Sequence, residues 1–125
     1  MKSENDWKAK LRRDAERHGI AFSVHGHGMQ APGWPDLYFA TAQWVGWAEL
    51  KSENRETTTA QRIVGRRLQI FDKFVIVRSL DNWKRIRVSD ADEKIHCESA
   101  HIDIGDWPSV STLIKFFFNH IVRQT

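Results

Sequence analysis

The sequence predicts one α/β domain in which helices flank a mixed sheet, and three observations support this prediction. The 125 residues match the size of a single domain with its own core. Short aromatic and β-branched runs, typical of strands, alternate with three segments of helical periodicity. One helical segment lies between two strand candidates, and such a crossover makes the two strands parallel. Residues 1–125 are therefore taken as a single domain.

The first third of the chain predicts a helix, a strand and a loop. Apolar residues recur at helical spacing over Glu4–His18, and Gly19 follows as a stop. Residues 20–24 form a strand candidate. Segment 25–35 is rich in Gly and Pro, which predicts a loop, and loops of this size often carry functional residues.

The middle of the chain predicts an antiparallel hairpin and then a crossover helix. Residues 36–40 and 44–50 are strand-like runs joined by a short Thr-Ala-Gln connection. The threonines at 57–59 can cap a helix that ends at about Phe71. The apolar run 74–77 is typical of a strand buried on both faces, and the preceding helix makes it parallel to the second hairpin strand.

The last third contains one clear element. Residues 108–123 predict a closing helix capped by Asp106 or Ser109. Residues 83–88 and 95–104 are ambiguous.

Charge is unevenly distributed along the chain, whose net charge is +3. Segment 51–87 contains ten Lys or Arg against four Asp or Glu, whereas segment 89–106 contains six acidic residues against Lys94 alone. The basic segment can face a polyanion such as a nucleic acid, or it can be an ordinary solvated surface.

Other features of composition bear on compartment. The single Cys97 cannot form an internal disulfide, and the N-terminus lacks the apolar run of a signal peptide. The most apolar stretch, 113–122, is shorter than the roughly 20 residues that span a membrane. We therefore expect a cytoplasmic protein with no membrane segment.

The chemically informative feature is a spaced set of polar residues. Gly33-Trp-Pro-Asp36 precedes the hairpin, Glu49-Leu-Lys51 follows thirteen residues later, and Gln61 lies in the next helix. Side chains alternate along a strand, so Glu49 and Lys51 project from one face while Leu50 points into the opposite layer. The hairpin returns Asp36 beside them.

Two neighbouring carboxylates are costly to ionise together unless a cation lies between them, and hard oxygen ligands suit Mg²⁺ or Mn²⁺. Such a metal would hold a phosphate oxygen and a water, and an adjacent ammonium from Lys51 would orient that water. Asp36, Glu49 and Lys51 thus predict a hydrolytic site for phosphodiesters.

This pattern resembles the PD-(D/E)xK nuclease superfamily, and more narrowly its VRR-NUC domains, in which a Gly-x-Pro-Asp begins the hairpin, a Glu-x-Lys ends it and a Gln follows on a helix. Holliday-junction resolvases share this plan. The resemblance covers residues 4–78. It implies a small restriction-endonuclease-like core and a Mg²⁺-dependent endonuclease that cuts branched or junction DNA. It also implies a catalytic set of Asp36, Glu49, Lys51 and Gln61, with Gln61 as an active-site neighbour.

The same resemblance implies further metal ligands. The backbone carbonyl between the Glu and the Lys would be that of Leu50, whose side chain would remain in the core. An acidic residue on the first helix often completes the site. Glu4 is the leading candidate, with Asp6 and Glu16 as alternatives, and any of them can instead be a solvated charge.

Several residues are candidates for DNA contact. His25 and His27 precede the hairpin, where they would contact phosphate or shuttle protons, or would simply be exposed in a Gly-rich loop. Trp34 in the same loop can stack on a base, whereas Trp44 and Trp47 are assigned to the core. A stripe of polar residues on the crossover helix can neutralise phosphates, or it can be an ordinary solvent-exposed face. Its members are Arg62, Arg66, Gln69 and Lys73.

Two other classes of function compete with the enzyme. A non-catalytic nucleic-acid-binding module would keep the fold, although the presence of Asp36, Glu49 and Lys51 together argues against it. A small interaction protein would use Asp36 and Lys51 as a structural ion pair, which would leave Glu49 without a partner. The aromatic segment 116–122 would either cap its own core or supply a homodimer interface.

Overall fold

A computed structural model of the chain describes residues 4–18, 20–23, 33–40, 45–71, 73–81, 84–103 and 105–122. The helices are α1 (Glu4–His18), α2 (Thr59–Phe71) and α3 (Trp107–Phe116), and α3 continues into a π-helical segment, Phe117–Ile121. The strands are β1 (Ile20–Ser23), β2 (Leu37–Ala40), β3 (Val45–Lys51), β4 (Lys73–Leu80), β5 (Arg85–Ser89) and β6 (His96–Ala100). None of these described helices is long and apolar enough to cross a membrane.

The described strands form one mixed sheet of six strands in the order β1-β2-β3-β4-β5-β6. β3 and β4 are parallel, and every other pair of neighbours is antiparallel. α2 provides the crossover between β3 and β4, because parallel neighbours cannot be joined by a tight turn. The predicted α/β class, the β2–β3 hairpin and the parallel β4 are confirmed.

One face of the sheet, here called the apolar face, packs against α1 and α3. The strands contribute alternate residues to it, so that Leu50, Val77 and Val88 are fully buried together with Leu11 of α1 and Ile114 of α3. The predicted apolar stripe of α1 is confirmed, since its Trp7, Leu11 and Ala15 belong to this core.

The opposite face, here called the polar face, carries charged residues and lies under α2. Its apolar packing is a small cluster in which Phe74, Ile76 and Ala91 are buried and Leu68 of α2 is partly buried. Gly65 allows α2 to approach the sheet closely, because a Cβ there would lie 2.8 Å from the Phe74 ring. The rest of this face is occupied by Glu49, Lys51, Arg78, Ser89 and other polar residues.

The structure resolves the ambiguous last third and corrects one assignment. β5 overlaps segment 83–88 and ends one residue beyond it, and β6 lies within segment 95–104. Asp106 caps α3, because its carboxylate accepts from the Ser109 backbone N–H at 3.2 Å. The prediction that Lys73 shares a face with Arg62 and Arg66 is wrong: Lys73 is the first residue of β4, because α2 ends at Phe71.

The charge segregation seen in the sequence is partly neutralised by the fold. Acidic residues of segment 89–106 form ion pairs with basic residues of segment 51–87. The pairs are Arg66–Asp92, Arg78–Glu93, Arg85–Glu98 and Arg87–Glu98. A high content of basic residues therefore does not by itself mark segment 51–87 as a free polyanion surface.

Candidate active site

Asp36 is held against β3 at the start of the hairpin. It immediately precedes β2, and the register that pairs Leu37 with Ala48 brings Asp36 opposite Glu49. One Asp36 carboxylate oxygen, Oδ2, accepts the backbone N–H of Leu50 at 2.8 Å. Asp36 is 5% exposed, so this bond is made away from bulk water. The predicted proximity of Asp36 to the Glu49–Lys51 segment is confirmed.

The side chain and the backbone of Leu50 have different roles. The side chain is fully buried in the apolar core, as predicted. The N–H and C=O of one strand residue point to the same side of the strand, so the Leu50 carbonyl faces the same side as the N–H that Asp36 accepts. This orientation suits a carbonyl ligand, the role that the resemblance implied.

Glu49 is the most unusual group in the site. It is 4% exposed, its Oε1 accepts from Gln61 Nε2 at 3.2 Å, and its Oε2 has no hydrogen-bond partner among the described residues. Burial, and after it the charge and hydrogen bonding of Asp36, raise the pKa of the Glu49 carboxyl from 4.5 to about 9. The positive charges of Lys51 and Lys8 act in the opposite direction.

The arrangement fits a divalent cation. Two acidic side chains face each other in a buried place, and a hydrogen bond between them requires that one be protonated. When both are ionised, Glu49 Oε2 is a buried anionic oxygen that no described donor satisfies. Oxygen ligands of this kind suit Mg²⁺ or Mn²⁺. The described residues contain no cluster of three or more His, Cys, Asp or Glu that could hold a metal, so other ligands would be a carbonyl, water or substrate.

Gln61 joins the start of α2 to Glu49. Its Oε1 accepts the Thr58 N–H at 2.9 Å, and its own N–H donates to Thr58 Oγ1 at 3.1 Å. This reciprocal pair is a capping box, and the predicted threonine cap of α2 is confirmed. Because the amide oxygen is used by the cap, the amide nitrogen is left to donate to Glu49.

Lys51 lies beside the carboxylates on the polar face. It is 7% exposed, and its Nζ donates to the Glu56 carbonyl at 3.3 Å. Burial lowers the pKa of the Lys51 ammonium, the Glu49 charge raises it, and the charge of Lys8 on α1 lowers it. The ammonium is thus held by a loop carbonyl near the acidic pair.

The Gly-x-Pro-Asp segment passes over the beginning of α2. Gly33 has a φ of +89°, and a Cβ at this position would lie 2.6 Å from the Ala60 carbonyl oxygen. Trp34 is half-buried, with its ring centroid 5.3 Å from that of Trp47, and Tyr38 contacts Trp47 at 4.8 Å. Trp47 is partly buried and packs against the small core cluster of Phe74, Ile76 and Ala91 on the polar face, which agrees with its assignment to the core.

Some predicted residues lie outside the described set: His25, His27, Trp44 and the side chain of Glu4. The alternatives Asp6 and Glu16 are both exposed on α1. Which acidic residue of α1, if any, joins the site stays a prediction.

The predicted DNA-contacting residues are spread over the molecule. Arg62 and Arg66 are exposed on α2, and Arg66 is engaged by Asp92 at 2.6 Å. Lys73 begins β4, five residues before the position that pairs with Lys51. At about 3.3 Å per residue, that separation is roughly 16 Å. Its ammonium lies 4.7 Å from the centroid of the Phe118 ring.

Sequence reasoning missed two basic residues. Lys8 follows the buried Trp7 on α1 and acts electrostatically on Glu49 and Lys51, and its position next to a core residue was the available signal. Arg78 directly follows the apolar run 74–77 and is 7% exposed. A charged residue that continues a strand buried on both faces is unusual, and this was the signal for Arg78.

Comparisons with protein-family models, curated proteins and solved structures found no match.

Proposed function

We propose that this protein is a divalent-metal-dependent nuclease that hydrolyses phosphodiester bonds of DNA, with branched or junction DNA as the preferred shape. The observation that carries the proposal is the buried Glu49 carboxyl beside Asp36, whose Oε2 has no donor among the described residues. A purely structural pair of this kind would be costly to ionise, since a buried charge without a partner is unfavourable.

Asp36, Glu49 and the Leu50 carbonyl would hold the metal. When bound, Mg²⁺ or Mn²⁺ would neutralise charge on a phosphoryl oxygen and lower the pKa of a water. Asp36 is oriented by the Leu50 N–H and Glu49 by the Gln61 amide, so both carboxylates are fixed in advance. Such preorganisation is how a site stabilises developing charge without rearranging.

Lys51 would act on the substrate side of the pair. Its ammonium is buried and held by the Glu56 carbonyl, and ammonium protons that the carbonyl does not use can donate to a water or a phosphoryl oxygen. Burial strengthens its attraction to a negatively charged phosphate. Gln61 does not need to touch the substrate, because its contacts are with Glu49 and Thr58.

The surroundings suit a nucleic acid. Arg62 follows Gln61 on α2 and lines a polar cavity of about 550 Å³ together with Arg55 and with Glu53, Glu56 and Glu93. Trp34 presents a half-buried ring in the segment that precedes the hairpin. Cations neutralise phosphates and aromatic rings stack on bases, so the arginines would contact the DNA backbone and Trp34 an unpaired base.

The experiment is a cleavage assay on linear duplex, single-stranded, flap and four-way-junction DNA with Mg²⁺, Mn²⁺ or EDTA. Wild type is compared with Glu49→Gln, which keeps the shape of the side chain. The matched control is Asp103→Asn, because Asp103 is exposed, pairs with Lys10 of α1 and is none of the candidate site residues.

Cleavage that requires both the metal and Glu49, and that survives Asp103→Asn, is the expected result, and the best-cut DNA identifies the preferred shape. Binding without cleavage under every condition would refute the enzyme and favour a non-catalytic nucleic-acid-binding module. The absence of both DNA binding and cleavage would favour an interaction protein.

A further inference from the structure

Arg78 is a buried cation in a row of cations. The register pairs Lys51 with Arg78 and Arg78 with Arg87, so three positive side chains lie side by side across β3, β4 and β5 on the polar face. Like charges directly opposite each other destabilise a sheet, and a buried charge needs partners. The side chain of Arg78 is only 8% exposed. Its position therefore requires specific acceptors.

Those acceptors belong to two loops. Arg78 Nη1 donates to the Ser52 carbonyl at 2.9 Å and also to the Arg55 carbonyl. Its Nε and Nη2 donate to Glu93 Oε1 at 3.2 and 2.6 Å. The Arg55 N–H also donates to the Ser52 carbonyl at 3.2 Å, so one guanidinium nitrogen contacts both ends of a closed turn.

Glu93 is itself placed for this contact. It lies in the turn between β5 and β6 with a φ of 58°, a conformation that costs a non-glycine residue on the order of 1 kcal/mol. The Asp90 carboxylate accepts the Lys94 N–H at 3.0 Å, and the Asp90 carbonyl accepts the Glu93 N–H at 3.1 Å, which stabilises the turn. The residue that pairs with Arg78 is therefore kept in a strained backbone conformation by the fold.

The turn that Arg78 contacts leads directly to groups that hold the candidate site. The Glu56 carbonyl, one residue beyond the turn, accepts from Lys51 Nζ. Thr58, two residues further, forms the capping box with Gln61, which donates to Glu49. The loop of residues 52–58 therefore connects the guanidinium to both Lys51 and Gln61.

We propose that Arg78 is a positioning residue: its guanidinium fixes the 52–58 loop and, through that loop, the placement of Lys51 and Gln61 for catalysis. This inference rests on the proposed nuclease function. Geometry is the essential property, because a guanidinium presents several donors in one plane, whereas an ammonium is a single point charge on a flexible stem. Lysine would keep the charge at this position and lose the simultaneous contact with two carbonyls and a carboxylate.

The experiment compares wild type with Arg78→Lys, and uses Arg87→Lys as the matched control. Arg87 lies opposite Arg78 on β5 and pairs with Glu98, and no contact of its side chain with the 52–58 loop is seen in the described residues. Three quantities are measured: amide hydrogen exchange of residues 52–60, kcat and KM for the best-cut DNA, and the affinity for Mn²⁺.

We expect Arg78→Lys to speed exchange in residues 52–60 and to lower kcat about 10- to 100-fold, in the range seen when groups that orient site residues are lost. KM should change by less than about twofold, because uniform binding of the DNA is not altered. Mn²⁺ affinity should fall by less than about tenfold, because the Leu50 N–H still orients Asp36 and only the Gln61 contact with Glu49 is loosened. Arg87→Lys should leave all three quantities unchanged.

Unchanged exchange, or faster exchange with wild-type kcat, would overturn the proposal. If Arg78→Lys does not fold, Glu93→Gln replaces it, because glutamine keeps an acceptor for the guanidinium and loses the charge; a smaller effect in the same direction is expected, and no effect on exchange or kcat would overturn the proposal. Should wild type cut no DNA, the nuclease function fails, and exchange in residues 52–60 still decides whether Arg78 fixes the loop.

Discussion

On the apolar face of the sheet, Leu50 and Val77 pack under α1 and α3 within the hydrophobic core. On the polar face, the next residues along the same strands, Glu49, Lys51 and Arg78, are buried to a similar degree although they carry charges. The two faces share strands, register and burial. They differ in what satisfies the buried side chains.

The difference separates the apolar face, which stabilises the fold, from the polar face, which carries the candidate site. Apolar burial stabilises by about 25 cal/mol per Å² with no directional requirement. The polar face instead satisfies each charge with a specific partner: Arg78 with Glu93 and two carbonyls, Lys51 with a carbonyl. Glu49 Oε2 is the exception among these groups. This buried acceptor, left open amid otherwise satisfied charges, is the observation on which the proposed metal site rests.

The largest expected effect is on cleavage, through Asp36→Asn. Asparagine can still accept the Leu50 N–H, so the fold should persist, while the loss of one anionic ligand should lower the cleavage rate by at least about 10³-fold. Cleavage rate and melting temperature are measured together. An Asp36→Asn protein that cuts at near the wild-type rate would remove Asp36 from the catalytic set.

Leu50→Ala tests the other face of the same strand. Truncating a fully buried leucine should cost about 2–5 kcal/mol of the free energy of unfolding, measured by urea denaturation. Its counterpart Glu49→Gln should cost less than about 1 kcal/mol, because glutamine keeps the size of the side chain and an acceptor for Gln61, and so leaves no cavity. Equal destabilisation by both variants would contradict the division of roles between the faces.

The stability of the metal-free protein should fall as pH rises through the window from 4.5 to about 9. The pKa of Glu49 is raised from 4.5 to about 9 by burial and by Asp36, so within that window the folded state binds more protons than the unfolded state. The free energy of unfolding then decreases with pH. Urea denaturation in EDTA near the two ends of the window measures this slope, which Glu49→Gln should reduce. The same slope in both proteins would show that Glu49 is not its source.

The smallest effect expected is on DNA affinity. Arg62→Ala should weaken DNA binding about two- to fivefold. It should also reduce the slope of the log binding constant against log salt concentration by the amount that about one phosphate contact contributes. Arg66→Ala should have a smaller effect, because Asp92 already holds that guanidinium at 2.6 Å. Binding isotherms at several salt concentrations measure both. A larger effect of Arg66→Ala would reverse the assignment of the DNA-facing residue on α2.

Much of the fold and the centre of the site could be predicted because their signals are local. Alternation along β3 separates Leu50 from Glu49, and the capping box between Thr58 and Gln61 lies within four residues. Strands β5 and β6 were ambiguous because pairs such as Arg87–Glu98 form only when the strands meet.

The remaining errors also have physical causes. Lys73 continued the helical spacing of Arg66 and Gln69, and nothing in that spacing shows that α2 ends at Phe71 before β4 begins. Arg78 was missed because its acceptors, Ser52, Arg55 and Glu93, come from two loops distant in sequence. Contacts of that kind are determined by tertiary structure, not by local pattern.

The central claim is that Asp36 and Glu49 together hold a divalent cation, and calorimetric titration of wild type and Glu49→Gln with Mn²⁺ tests it most directly. Wild type should bind the ion, and Glu49→Gln should bind it more than about tenfold more weakly while keeping the wild-type melting temperature in EDTA. Equal Mn²⁺ affinity in the two proteins, or no binding to wild type in the absence and presence of DNA, would contradict the account.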